Sequence, residues 1–228
     1  MTGNWLILET SGRVGQVGLA RGGAVVRTVS LDDRRRHARD LAGTVSSVLE
    51  AEFLRPVELN GIVVGRGPGS YTGLRIGLMS AKALAYALNC ELRAVETFAA
   101  IAVQAPPQAT SLWVIADALQ RHVYAQPYTS QENEWRPAGD LRIEPVAAWA
   151  ARLRAGDWVS GPGVTEYAER IPRIGSLVPE ADREPRIESI FRVGMRSQML
   201  ARPELFALEP LYLRGSSAEE KKTSEPCR

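Results

Sequence analysis

Histidine and cysteine are scarce in this sequence, and the few there are do not gather. His37 and His122 stand singly, neither with a second histidine one helical turn away, and Cys90 and Cys227 lie far apart with no CxxC pair. That leaves no zinc or iron site to be read and no disulfide framework, and it makes a reducing cytoplasm the expected setting. Charge of one sign is lacking too, since 28 basic residues against 26 acidic give a formal net charge of +2. A chain so balanced has no global field to hold nucleic acid, so any RNA contact must be local or shared. No apolar run approaches the roughly 20 residues of a membrane-spanning helix. The residues after Met1 show neither the basic stretch nor the cleavage site of an export signal, so neither membrane association nor export is expected.

What is present is a globular composition, 228 residues with 45% apolar and 24% charged, enough for one large domain or two lobes with real cores. The apolar run 5–8, the alternating run 14–20 and the run 24–29 predict three successive strands separated by turns. Leu41, Val45, Val48 and Leu49 then fall on one face of a predicted helix. Gly61-Ile62-Val63-Val64-Gly65 reads as a strand buried on both faces.

The least ordinary stretch follows it. Gly67, Gly69 and Gly73 with Pro68 permit tight turns and close approach, and Ser70 and Thr72 offer hydroxyls to cap the next helix, whose N-terminus also attracts anions. Thr10, Ser11, Gly67, Gly69, Ser70 and Thr72 are therefore candidate phosphate or nucleotide contacts. The loop is not a P-loop, lacking the Lys-Ser/Thr pair, nor GxGxxG, nor the GxSxG nucleophile elbow.

The helix beyond the loop carries two apolar stripes. Leu74, Leu78, Ala81, Ala85 and Leu88 form one; Ile76, Met79, Ala83, Tyr86 and Ala87 form the other, with only Arg75, Lys82 and Asn89 as a polar line. Such a helix must be covered on more than one side, by the 37–50 helix, by a subunit interface, or by both.

After the linker Ala105-Pro106-Pro107-Gln108 the pattern recurs faintly, with strands at 111–117 and 123–128, hairpin material at 129–142 and a helix over 145–153. A strand and turn at 157–163 lead into a helix to Arg170, surface loop fills 172–185, and a helix runs from Ser189 to Leu200 before a last extended segment at 208–214. Glu9 and Asp117 each close a strand that opens a lobe, where a nucleotide enzyme would hold magnesium. The plainer alternative is local turn chemistry by Asp, Thr and Ser.

The run Gly67-Pro68-Gly69-Ser70-Tyr71-Thr72-Gly73-Leu74-Arg75-Ile76-Gly77 resembles GPGSFTGLRIG, hallmark of the bacterial TsaB, or YeaZ, family of tRNA threonylcarbamoyladenosine-synthesis subunits. Ile7-Leu8-Glu9-Thr10-Ser11 is similar to that family's ILALDTS, His37-Ala38-Arg39-Asp40-Leu41 sits where it has a histidine entering its first helix, and Pro210-Leu211-Tyr212-Leu213-Arg214 resembles its PxYLR. The resemblance implies a two-lobed α/β fold of the actin, sugar-kinase and Hsp70 (ASKHA) type, with mixed sheets and flanking helices. With the linker as boundary, the N-terminal lobe is expected at 1–105 and a degenerate C-terminal lobe at 110–214, and the charged tail 215–228 is expected to be mobile.

The resemblance further implies a non-catalytic subunit that pairs with a TsaD-like catalytic subunit and is joined by a TsaE-like ATPase, with self-pairing also open. Contact with tRNA would run through the complex. No cofactor would be held tightly, and ATP or ADP would bind only at a shared site. The interface would fall on His37, Leu41, Val45, Leu74, Ile76, Met79, Ala83, Tyr86 and Ala87. Two departures stand out: Glu9 replaces an aspartate, and Asp117-Ala118-Leu119-Gln120-Arg121-His122-Val123-Tyr124 replaces DARRGEVY, losing an arginine and the glycine of the turn. Competing readings are an active phosphotransferase or ATPase working through Glu9 or Asp117, and a peptidase working through Ser70 or Thr72.

Overall fold

The computed structural model describes residues 3–31, 37–132, 134–200 and 202–211. The charged run 32–36, the Tyr212-Leu213-Arg214 end of the last motif, the expected tail 215–228 and Cys227 lie outside the described residues. The chain opens as an antiparallel meander of β1 (Asn4–Glu9), β2 (Gln16–Arg21) and β3 (Ala24–Ser30). It continues through α1 (His37–Ala51), β4 (Gly61–Gly65), α2 (Tyr71–Leu88), β5 (Glu91–Val95) and α3 (Thr97–Ala102). The first sheet has the order β3-β2-β1-β4-β5, with β4 parallel to both β1 and β5.

A second sheet repeats this plan. Its strands are β6 (Ser111–Asp117), β7 (His122–Gln131), β8 (Glu134–Pro137) and β9 (Arg142–Pro145), then, after α4 (Val146–Ala150), β10 (Trp158–Ser160), α5 (Gly163–Tyr167) and β11 (Ser176–Leu177). The order is β11-β10-β6-β7-β8, with β9 also on β7. Each lobe thus sets an antiparallel hairpin on one side of its first strand and a parallel strand on the other, and each parallel strand runs into a Gly-Pro-Gly loop and a helix. This is the two-lobed α/β architecture, mixed sheets with flanking helices, that the resemblance implies. The segment 172–185, expected as loop, supplies β11, a two-residue strand too short to leave a periodic signal.

Alternation sorts the first sheet's side chains. Leu6, Leu8, Val17, Leu19, Ile62 and Val64 form one core with α1 and α2, while Trp5, Ile7, Ala20, Val63 and Val95 form another on the opposite face. What covers that second face comes from the far end of the chain. Beyond the second sheet, α6 (Ile187–Gly194) returns to pack across all five strands of the first, burying Ile187, Ile190 and Phe191. Arg93 of β5 fixes its end, donating to the carbonyls of Met195 (3.2 Å) and Ser197 (3.1 Å). The helix stops at Gly194 rather than running to Leu200, and a further helix, α7 (Arg202–Ala207), follows. Leu205 and Leu208 join the α1–α2 core. The stretch expected as second lobe to residue 214 therefore spends its last part on the first.

Candidate functional site

The glycine loop packs where β1 meets the start of α2. Gly73 and Gly77, four residues apart on α2, share one face, and that face, together with Gly69 of the loop before it, lies directly on Thr10 and Ser11. A Cβ at Gly69 would press on the Ser11 carbonyl, at Gly73 on the Thr10 carbonyl and at Gly77 on the Thr10 hydroxyl. Hydrogen bonds close the seam: Thr10 Oγ1 donates to the Gly73 carbonyl and the Ser70 amide to the Ser11 carbonyl, both at 2.8 Å. Ser70 caps α2, its Oγ accepting from the Gly73 amide at 3.2 Å. The Gly67 amide donates to Thr97 Oγ1 at 3.3 Å, and the Thr97 amide to the Gly67 carbonyl at 2.8 Å. Thr10, Ser11, Gly67, Gly69 and Ser70 are thus brought together as a packed seam whose amides at 67, 70 and 73 are already engaged. Thr72 stands exposed on the first turn.

Glu9 is buried beneath this seam at 1% exposure. Its Oε1 accepts from the Ser11 amide (2.5 Å) and its Oε2 from the Thr97 hydroxyl (3.4 Å), with Gly65 packed against the carboxyl. Burial pushes its pKa up, the bonds from Ser11 and Thr97 partly offset this, and the Glu184 charge adds to it. Both oxygens being committed inside the chain, the carboxyl is poorly placed to take a cation.

Asp117 is exposed instead. Its Oδ1 accepts from the Leu119 amide (2.9 Å) and the Tyr167 hydroxyl (2.6 Å), and burial together with that bond raises the Tyr167 pKa. It borders an open polar hollow of about 510 Å³ with Arg121 and Arg170. The turn beside it holds Leu119, Gln120 and Arg121 at φ of 62°, 51° and 61°. Position 121, where the resembled motif has glycine, therefore keeps a left-handed backbone with an arginine on it, at a cost. His122 Nδ1 lies 2.9 Å from the Gln120 carbonyl.

The second gathering is on α2. Its inner stripe is core, with Leu74, Leu78, Ala81 and Ala85 all buried. Leu41 and Val45 of α1 are buried in the same core as Leu78, Ala81 and Ala85. The outer stripe faces outward: Met79 and Tyr86 are 62% and 57% exposed, Ala83 and Ala87 are exposed and Ile76 is half-buried. So the expected interface residues divide, with Leu41, Val45 and Leu74 turned inward and Met79, Ala83, Tyr86 and Ala87 outward. His37 opens α1, and its side chain lies outside the described residues.

Two elements flank the outer stripe. Between α1 and α2 runs an apolar groove of about 330 Å³ lined by Val45, Leu49, Leu59, Ala83, Leu84 and Leu88 among others. On the other flank lies α7, held by Lys82 Nζ, which donates to the carbonyls of Phe206 (3.1 Å) and Leu208 (3.0 Å), and by the Tyr86 ring meeting Phe206 edge-on at 5.6 Å. A lysine on the last carbonyls of a helix is a favourable cap. Sequence reasoning missed α7, although Pro203 and Glu204 at its start are ordinary opening signals.

Comparison with known proteins follows the same lines. Residues 24–202 match the family model described as TsaD: tRNA N6-adenosine threonylcarbamoyltransferase. The chain is 26% identical over 223 residues to the tRNA threonylcarbamoyladenosine biosynthesis protein TsaB of Bacillus subtilis, covering 95% of this chain and 96% of that one. To the Escherichia coli TsaB it is 28% identical over 198 residues, covering 82% and 84%. Two solved structures from Pseudomonas aeruginosa, each 28% identical and covering 93% of this chain and 100% of theirs, superpose with TM-scores of 0.79 and 0.77. One is described as an uncharacterized protein with similarity to peptidase YeaZ, the other as YeaZ.

Proposed function

Because the chain belongs to the TsaD, tRNA N6-adenosine threonylcarbamoyltransferase, family and within it is of the TsaB/YeaZ type, we propose that it acts in tRNA threonylcarbamoyladenosine synthesis as a non-catalytic docking subunit. Its partner is a TsaD-like catalytic subunit, and the pair is joined by a TsaE-like ATPase. The observation that carries this reading is the exposed apolar stripe of Met79, Ala83, Tyr86 and Ala87 beside the α1–α2 groove. Contiguous apolar surface of this kind on a helix is what a partner helix buries. The glycine seam supports it, because α2 is fixed at its N-terminus to β1 and so presents the stripe rigidly.

The burial and internal bonding of Glu9 weigh against a magnesium-dependent reaction in this chain alone. Ser70 serves as a helix cap, which gives its hydroxyl an ordinary structural use. Nucleotide, in this reading, binds at a site shared in the complex. Mixing the purified protein with a TsaD-type subunit and measuring mass by light scattering tests the proposal; masses that stay at those of the individual species at micromolar concentration, with no heterodimer, reject it. Magnesium-dependent ATP hydrolysis by the isolated chain would reject its non-catalytic part.

A further inference from the structure

α7 is anchored on one side and open on the other. Leu205 and Leu208 are buried in the core beneath α1 and α2, and just beyond them the Leu211 amide donates to the Arg66 carbonyl at 2.9 Å. Phe206 turns outward instead and is 67% exposed. Its ring meets Tyr86 edge-on, while its carbonyl is held by Lys82 Nζ. Met79, Ala83 and Tyr86 share one face of α2 at spacings of three and four, so Phe206 carries the exposed apolar stripe onto a second element. Exposed apolar side chains standing singly need no explanation, but a contiguous set marks a contact surface. Lys82, the cation beside the rings, has its ammonium engaged by two carbonyls, which suits an apolar occupant rather than an acidic one.

We propose that Phe206 and Tyr86 form an aromatic anchor that selects the TsaD-like catalytic subunit by entering that subunit's counterpart of the α1–α2 groove, with Lys82 as the positioning residue. The inference rests on the docking function proposed above and names the side chains that decide its partner. Residues 24–202, which include α1, α2 and every residue lining the groove, match the TsaD family model, so a TsaD-like subunit is expected to carry an equivalent groove. The match stops at residue 202, where α7 begins, so the anchor is not part of what is shared. That asymmetry favours a mixed pair: a second copy offers the groove but brings a second α7 with it, and the self-pair must seat two projecting aromatic pairs where the mixed pair seats one. The clamp fixes α7 before the encounter, so less order has to be gained on binding.

Titration calorimetry of the full chain against a purified TsaD-type subunit tests this. Phe206→Ala, at an exposed position, should keep the parent's circular dichroism spectrum and bind about tenfold more weakly, as loss of an aromatic anchor does. Lys82→Met should weaken binding severalfold, and Lys82→Arg, which keeps donors for the two carbonyls, should bind close to the parent. In a Phe206→Ala background Lys82→Met should add nothing, because its effect runs through the ring; additive losses would remove Lys82 from the positioning role. Parent affinity in Phe206→Ala while Ala83→Arg still disrupts binding overturns the inference and leaves the proposed function standing, whereas no binding by the parent chain overturns both. A dimer of the free chain that Phe206→Ala dissolves assigns the anchor to a second copy and overturns the inference as well.

Discussion

At the scale of single residues, the glycines and the buried carboxylate around Thr10 make opposite demands on substitution. Gly73→Ala pushes a methyl into the Thr10 carbonyl, and overpacking of that kind should cost about 1–3 kcal/mol in urea denaturation. Gly43, exposed on α1 with open space around it, should behave the other way, Gly43→Ala gaining about 0.5–1 kcal/mol. Glu9 has its pKa raised above the ordinary value of 4.5 by burial. The folded state therefore holds the proton more tightly than the unfolded one, and the penalty of ionising Glu9 is absent below pH 4.5 and grows as pH rises through the folded value. Glu9→Gln removes the charge while its amide can still accept from Ser11 and donate to Thr97. Its thermal midpoint should exceed that of the parent by a margin that opens above about pH 4.5 and then levels; a margin independent of pH would refute the argument. The sequence marked the loop, its cap and the strand-end carboxylate. It did not show where the glycine face would land, because Thr10 is 63 residues from Gly73 and spacing within a helix carries no information about so distant a neighbour.

At the scale of elements, α2 was legible as a helix with two apolar stripes, and the structure buries one and leaves the other open. Neighbouring alanines can therefore be told apart. Ala83→Arg, on the exposed stripe, should leave the circular dichroism spectrum unchanged and weaken partner binding by roughly 2 kcal/mol, about thirtyfold, because a guanidinium is carried into a dry contact. Ala85, 1% exposed, sits in the core, so Ala85→Arg should unfold the protein rather than dissociate it. Sizing and circular dichroism run side by side distinguish these outcomes. If Ala83→Arg binds like the parent, the stripe is not the docking face. Periodicity could separate the stripes but not assign them, since Leu and Ala look alike on a core and on an interface. It also gave no sign that Lys82, taken as part of a polar line, would clamp the six-residue α7.

For the whole molecule, the repeated strand order was foreshadowed by the three opening strands, the linker at 105–108 and the strands beyond it. The return of α6 and α7 to the first lobe was not, because an amphipathic segment announces that it will be buried without saying against what. That return makes a prediction. A chain ending at residue 186 keeps both sheets but loses Ile187, Ile190 and Phe191 from the core on the first sheet's second face, and should fail to give a cooperative thermal transition. A cooperative transition near that of the full chain would show the return to be dispensable. The same arrangement bears on how the protein is made. Domains ordinarily fold as they leave the ribosome, N-terminal part first, yet here the first sheet to emerge stays uncovered on one face until α6 has been synthesised. The nascent first lobe must wait, with Trp5, Ile7 and Val63 unshielded, until the whole second sheet and α6 have been synthesised, and a chain truncated after the second sheet leaves that face as bare as one truncated before it.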